Sequence, residues 1–565
     1  MEKRTILAIA LSFLILMAFE YVNRKFLAPE ESPQITEETS SEMQIKTEPE
    51  ADAVVEKEIT QEISDMESET DTQAAGPLQI VVKGDFYQAT VDNRGAVLSS
   101  WILNEYQSSL HRDFEMIADD DKGEKWPYPG SVLFDDPDLT ATANEELYEV
   151  TVKGAPYSGI PLAAPADVVL TLKRGDLAIR KIFSFNNDNY TVNLSATFEK
   201  SGRDLNGRML LAQDIGPIEE HLEGRAAGLK AAYFNGKKVE RESPPGDEEE
   251  DVTVSGNIVW VGLDMHYFTA IAIPGKSLHS FEIRGFEIIS TDLQNNDIER
   301  NLLSIKLPVN GTFDGLFYFG PKKQANLKSV PGHDLSGVID YGMFSIIARP
   351  LLSALRWIHQ YVNNYGFAII ILTLLLSILL FPLRLKQMLS MKKMQAVQPK
   401  VKAIQERYKK YKKTDPKRAE MNREVMALYK EHNVNPMSGC LPLLVQMPLL
   451  FAFYRLLSVS IELRQAPFIF WIQDLSVKDP YYVVPILMGV TMFLSQKMTP
   501  MAPTADSSQM KMMQYLPVIF TFMFLSLSSG LNLYFLCSNI FQVGFQKIAE
   551  RWMGDGRKNR KPKGK

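Results

Sequence analysis

Two small hydroxyls, Thr373 and Ser377, lie one helical turn apart inside a stretch from Phe367 to Leu383 that contains no charged side chain. No acid or base sits beside them, so the chemistry open to them is hydrogen bonding rather than nucleophilic attack. Further polar groups interrupt other apolar stretches: Gln446 and Tyr454 in one, Asn532, Asn539 and Gln542 in another. Polar side chains at membrane depth are costly and face a bundle interior or a wet cavity. Hydrogen bonding between helices and the lining of a cavity both fit this pattern.

Other reactive residue types form no constellation. His111, His221, His266 and His279 are scattered, without the spacing of metal ligands. The two cysteines, Cys440 and Cys537, both fall in apolar stretches and read as buried thiols, not as a disulfide framework or metal site. We therefore expect no covalent catalysis, no cofactor and no metal.

The elements that must position these groups come in two compositions. A chain of 565 residues is too long for one hydrophobic core. Its net charge of −7 averages an acid-rich first part and a second part with long apolar runs. The run Tyr365–Gln387 is the clearest crossing segment, since a helix of that length spans a hydrocarbon core of about 30 Å. Further crossings are expected near 437–458, 482–498, 513–528 and 531–548, the last two separated only by Ser529 and Gly530. Residues 5–19 are apolar, follow Lys3 and Arg4, and precede no small-residue cleavage site. They read as an uncleaved signal anchor.

Between the anchor and the second crossing the pattern changes twice. Residues 30–71 hold 15 acidic and 2 basic side chains and cannot bury enough surface to fold, which predicts a disordered spacer. From about 77 the period becomes two. Ala166, Val168, Leu170 and Leu172 alternate with their neighbours, and Lys173-Arg174-Gly175-Asp176 supplies a hairpin turn. Such runs recur to about 319 and indicate a mainly antiparallel β-sandwich. Residues 335–359 carry apolar residues at helical spacing, interrupted by Asp340, Arg349 and Arg356, with a bend expected at Pro350. The expected domains are therefore an anchor (1–22), an acidic linker (23–76), a β-sandwich (77–325), a linker with an interfacial helix (326–363), a second span (364–385), a basic hairpin (386–435), four more spans (436–548) and a basic tail (549–565).

Charge gives the topology. From Arg384 to Glu431 there are 15 basic and 5 acidic residues, and the tail from Lys547 holds 8 basic and 2 acidic. The positive-inside rule puts both in the cytoplasm and 461–479 outside, so the sandwich is exported. In the basic segment Met394, Val397, Val401 and Ile404 form an apolar stripe, and Lys402, Arg407, Lys409 and Lys410 cover other faces. Asp415 and Pro416 open a second helix, giving an antiparallel hairpin close to anionic head groups. Contact with ribosomal RNA is compatible with the same charges; specific DNA binding is not expected.

The stretch 365–387, the hairpin opening Met391-Lys392-Lys393-Met394-Gln395, and Asn435-Pro436-Met437-Ser438-Gly439-Cys440-Leu441-Pro442 resemble the YidC/Oxa1/Alb3 membrane protein insertases. So do Pro480-Tyr481-Tyr482 through Met492 and Ser529-Gly530-Leu531-Asn532-Leu533-Tyr534. The long exported domain resembles the Gram-negative YidC type, in which that domain is a β-supersandwich. The resemblance implies a multi-pass α-helical protein of the bacterial inner membrane, with both termini cytoplasmic and the large domain periplasmic. It implies a hydrophilic groove, open to cytoplasm and lipid, that receives the polar segment of a nascent inner-membrane protein without nucleotide hydrolysis. Partners implied are the Sec translocon, the ribosome and membrane lipids. The candidates in this chain for lining such a groove are Thr373, Ser377, Arg384, Gln446, Tyr534, Asn539 and Gln542. One departure stands out. Ser377 occupies the position where the family carries a groove arginine, and Arg384, seven residues on, lies on nearly the same helical face. A secondary transporter and a non-catalytic assembly scaffold are the competing functions. Neither inverted repeats nor a sufficient number of spans favours the transporter.

Overall fold

The computed structural model describes residues 76–117, 128–212, 214–216, 229–245, 251–291, 297–411, 415–432, 441–498 and 507–558. The expected anchor and nearly all of the acidic linker lie outside these residues. Residues 74–503 and 516–565 form one compact unit, and a second unit includes 504–515.

Alternation of apolar and polar residues builds the first part of the large unit as two sheets. The smaller is antiparallel across Gln79–Lys83, Tyr87–Asp92, Val97–Gln107 and Asp113–Glu115, with Leu162–Ala163 added in parallel to the first strand. The larger contains 16 strands among the described residues, and its path runs through Lys230–Phe234, Trp260–Asp264, Phe268–Pro274, Thr312–Pro321, Thr191–Lys200, Leu177–Phe185 and Ala166–Arg174. Every second residue of Leu177–Phe185 points inward, and the hairpin to the preceding strand pairs Leu177 with Arg174 around Gly175. Inward positions of the two sheets meet in an aromatic core. Trp101 stacks on Tyr87 with centroids 4.0 Å apart and borders Phe185 and Phe319. Lys181 shares the inward face of its strand and is fully buried.

Among the described residues two short helices, α1 (Pro137–Glu145) and α2 (Gln324–Lys328), belong to this domain's loops. The described helices that follow are α3 (Ser345–Val362), α4 (Tyr365–Arg407), α5 (Lys417–Glu431), α6 (Leu441–Val459), α7 (Val483–Met498), α8 (Ser507–Phe524) and α9 (Ser529–Lys558). Pro350 lies inside α3 instead of dividing it. Among the described residues α4 alone is long and apolar enough to cross a membrane, and shorter apolar helical stretches are Gln446–Val459, Val483–Met498 and Tyr515–Phe524.

Several boundaries differ from the sequence expectation. The second span and the first arm of the hairpin are one helix, because no residue between Leu383 and Met391 stops α4; Pro382 and Pro399 are both accommodated within it. Helix α9 likewise continues past 548 into the basic tail. The reversal between α8 and α9 occupies 525–528, and Ser529 and Gly530 already belong to α9. Their N–H groups donate to Val477 and Leu475, 2.6 and 2.8 Å away, so a distant loop pins the helix start. At the α7–α8 crossing a Cβ on Gly489 would lie 2.0 Å from Thr521 Oγ1, so the close approach of the two helices requires glycine.

Candidate functional site

Helix α4 buries two hydroxyls among the apolar residues of its inner face and exposes aliphatic side chains beside them. Thr373 and Ser377 are only 1% and 3% exposed, whereas Ile378 and Leu379 are 52% and 72% exposed. The Thr373 hydroxyl donates to the Ile369 carbonyl of its own helix at 2.6 Å, which satisfies it locally. Arg384 continues the same face. Its Nη2 donates to Gln446 Oε1 of α6 at 3.4 Å. Its Nη1 is buried and has no hydrogen-bond partner among the described residues.

Tyr534 of α9 lies within electrostatic range of Arg384. It stacks on Phe453 of α6, centroids 4.2 Å apart and planes 10° from parallel. The four residues Arg384, Gln446, Phe453 and Tyr534 therefore draw α4, α6 and α9 to one place. Asn539 and Gln542 are half-buried on α9, and no hydrogen bond among the described residues joins them to Arg384. Asn532 acts structurally: its Nδ2 donates to the Phe524 and Leu527 carbonyls, both at 3.1 Å, and closes the α8–α9 turn.

Two participants were not among the sequence candidates. Phe453 gave no signal, since it is one aromatic in an apolar run. Arg455 did give one, a full charge inside an expected span. Its Nη2 donates to the Asp340 carboxylate at 2.6 Å. Burial on its own would raise the Asp340 carboxyl, but Arg455 and Arg241 outweigh it and hold the group below its ordinary value.

The hairpin is a second polar surface. Met391, Met394, Val397, Val401 and Ile404 pack against Val425 and Tyr429. Lys402, Arg407, Lys409 and Lys410 remain exposed. Arg407 pairs with Glu424 at 3.1 Å, and Lys410 lies over the Tyr411 ring, 5.4 Å from its centroid. Asp415 accepts from the Lys417 N–H at 2.9 Å, although α5 starts at Lys417, one residue later than the expected Pro416 start.

Buried hydroxyls, lipid-facing aliphatics and a β-rich domain on the same chain define a helical membrane protein with a large extramembrane domain. Comparison with known proteins agrees. A family model for the YidC periplasmic domain matches residues 79–354, and one for the 60Kd inner membrane protein matches 357–556. Membrane protein insertase YidC of Maridesulfovibrio salexigens is 34% identical, with 98% of this chain and 98% of the relative covered. The insertase of Geotalea daltonii is also 34% identical, over 97% and 98%, and that of Campylobacter jejuni 32%, over 97% and 96%. A crystal structure of active YidC insertase with its first transmembrane domain resolved aligns with 84% of this chain and 92% of its own, at 19% identity and a TM-score of 0.35. The chain belongs to the YidC family of membrane protein insertases, proteins of the inner membrane with a periplasmic domain.

Proposed function

We propose that the Thr373–Ser377–Arg384 face of α4, with Gln446 and Tyr534, forms the polar wall along which this insertase admits a substrate's hydrophilic segment. Nascent inner-membrane proteins are the substrates. The wall opens toward the cytoplasm and toward lipid, with both chain termini cytoplasmic. The observation that carries the reading is the buried Nη1 of Arg384, a charged donor with no hydrogen-bond partner among the described residues, on the helical face that carries the buried Ser377 two turns away. Such a donor is costly to leave unmade, and an acidic tail supplies the missing acceptor.

No covalent step is needed. A polar wall shortens the low-dielectric path for the tail, and burial of the substrate's apolar segment in lipid drives the transfer. The membrane potential adds about 2.3 kcal/mol per charge per 100 mV for an acidic tail moving outward. The insertase works without nucleotide, alone or beside the Sec translocon, with the basic hairpin and tail meeting lipid head groups and the ribosome. The test is reconstitution of the full chain in sealed vesicles without ATP or another translocase. A single-span protein with a short acidic tail becomes protected from added protease. No protection of a soluble, unaggregated substrate sinks the autonomous mechanism.

A further inference from the structure

The loop between α6 and α7, residues 460–482, packs against the start of α4. Asn364, the residue capping α4, donates through Nδ2 to the Pro467 and Phe468 carbonyls, both at 3.1 Å. The Phe468 ring meets Phe367 edge-on, centroids 5.3 Å apart, and a Cβ on Gly366 would collide with it. The tip that follows Phe468 therefore lies beside the first turn of α4, at the level where the apolar span begins. The last turns of α3, which lead into this corner, expose Trp357 and Tyr361, ring centroids 5.0 Å apart.

The tip is tightly folded. The Phe468 N–H donates to the Ile472 carbonyl at 2.9 Å, and the Ile472 N–H to the Ile469 carbonyl at 3.1 Å. Gln473 Nε2 donates to the Phe470 carbonyl at 2.8 Å. Asp479 is fully buried behind the tip. Its Oδ1 accepts the Trp471 indole N–H at 2.9 Å and the Tyr481 N–H at 3.0 Å, and its Oδ2 accepts the Val484 N–H at 2.8 Å. One carboxylate thus fixes an aromatic side chain and the first turn of α7 together. The Trp471 ring lies 5.9 Å from Phe470 and 6.0 Å from Tyr481, centroid to centroid.

Two of these aromatics stand on unfavourable backbone. Phe470 and Tyr482 have φ of 52° and 57°, the left-handed region. A bulky side chain is uncommon there, because its Cβ crowds the backbone, and glycine or asparagine suits the conformation better. Contacts within the protein do not offset the strain, since Phe470 is 79% exposed and Tyr481 beside it 68%. Water does not offset it either, because exposed aromatic surface is unfavourable there. No charge interrupts 466–473. The boundary of a bilayer does favour such side chains, whose rings settle at head-group level. Lipid-facing surface continues directly from the tip: Phe367 in the first turn of α4 is exposed, and so are Ile486 and Leu487 one turn into α7.

We infer that Ile469, Phe470 and Trp471, with Tyr481 and Tyr482, form a finger seated in lipid. Its partner is the head-group and upper acyl region of the bilayer at the ends where α4 and α7 begin. The left-handed residues turn the rings outward, and Asp479 holds Trp471 among them. The finger is independent of the polar wall and needs only that α4 crosses the bilayer.

The experiment uses the full-length chain without Cys440 and Cys537, in vesicles of phosphatidylethanolamine and phosphatidylglycerol. Ile469→Cys carries an environment-sensitive fluorophore, and Lys237→Cys, exposed on a β-hairpin turn, carries it as the reference. Nitroxide lipids labelled at the head group, high on the acyl chain or at its end report depth, and iodide reports water. We expect the high-chain nitroxide to quench Ile469→Cys most and iodide to quench only Lys237→Cys. Phe470→Gly with Tyr482→Gly suits both backbones and keeps the fold. In that pair lipid quenching at Ile469→Cys should fall at least about twofold, and Phe470→Trp with Tyr482→Phe should retain it. Iodide quenching without lipid quenching overturns the inference and leaves the finger in water. Quenching by neither overturns it in favour of a protein partner. Lipid quenching unchanged in the glycine pair overturns the aromatic rings as its cause.

Discussion

Arg384 of α4 and Gln446 of α6 meet side chain to side chain, 3.4 Å apart, although 62 residues separate them. The contact uses one arm of the guanidinium, and Nη1 is buried with no hydrogen-bond partner among the described residues. A neutral amide satisfies part of the donor set and none of the charge. On the polar-wall reading proposed above, an anion meets the guanidinium here, with Tyr534 within electrostatic range and the buried Ser377 two turns away on the same face.

This predicts a charge-selective defect. Arg384→Gln should slow insertion of an acidic-tailed single-span substrate about tenfold, equivalent to ~1.4 kcal/mol, and leave a neutral-tailed one nearly unchanged. Arg384→Lys should retain part of the rate, since the charge remains while the forked geometry is lost. Equal slowing of both substrates would make Arg384 an interfacial anchor only.

The stripe that carries Arg384 was legible because its surroundings are so apolar. Two hydroxyls and a charge at spacings of four and seven stand out against Ile and Leu, and helical geometry puts them on one face. What packs against that face was not legible. Phe453 meets Tyr534, and Arg455 meets Asp340 115 residues away, through contacts that no local pattern encodes. The α8–α9 reversal was misplaced for the same reason: Ser529 and Gly530 look like a turn, yet carbonyls of Val477 and Leu475 receive their N–H groups and start a helix there. The sheets were readable from alternation. Lys181 shows the limit of that reading, since its place between Ile179 and Phe183 points inward while its charge argues outward.

Lys181 therefore yields a second prediction. Its Nζ donates to the carbonyls of Gly95, Ala96 and Gly130 at 2.7, 3.2 and 2.8 Å. Burial pushes the amine down from 10.5 to about 7. Between these values the unfolded chain holds more protons than the folded one, so β-domain stability should rise as pH increases from about 7 to 10.5. Lys181→Met should abolish that contribution to the slope. At pH 9, where the folded amine is neutral and keeps two N–H bonds, it should also be less stable than the native chain by roughly 1–3 kcal/mol, because buried carbonyls lose their donor. Denaturant unfolding of the full chain in detergent, followed by near-ultraviolet ellipticity across this pH range, measures both effects. An unaltered slope in Lys181→Met would remove the buried amine as its source.

The basic hairpin supplies the third prediction. Its apolar stripe is buried between α4 and α5, so stability resides in Met394, Val401 and Val425 rather than in the exposed lysines. Replacing Lys402, Lys409 and Lys410 together by Gln should leave hairpin stability within about 0.5 kcal/mol. The same change should weaken attraction to an anionic bilayer by about 1 kcal/mol per charge, in a manner that salt screens. An environment-sensitive fluorophore on Ala403→Cys, in full-length protein without Cys440 and Cys537, reads the contact in nanodiscs. We expect a signal in anionic discs that fades with added salt and is absent from the triple variant. A signal that persists in neutral discs and ignores salt would assign the contact to apolar residues, and leave Lys402, Lys409 and Lys410 to an RNA or protein partner.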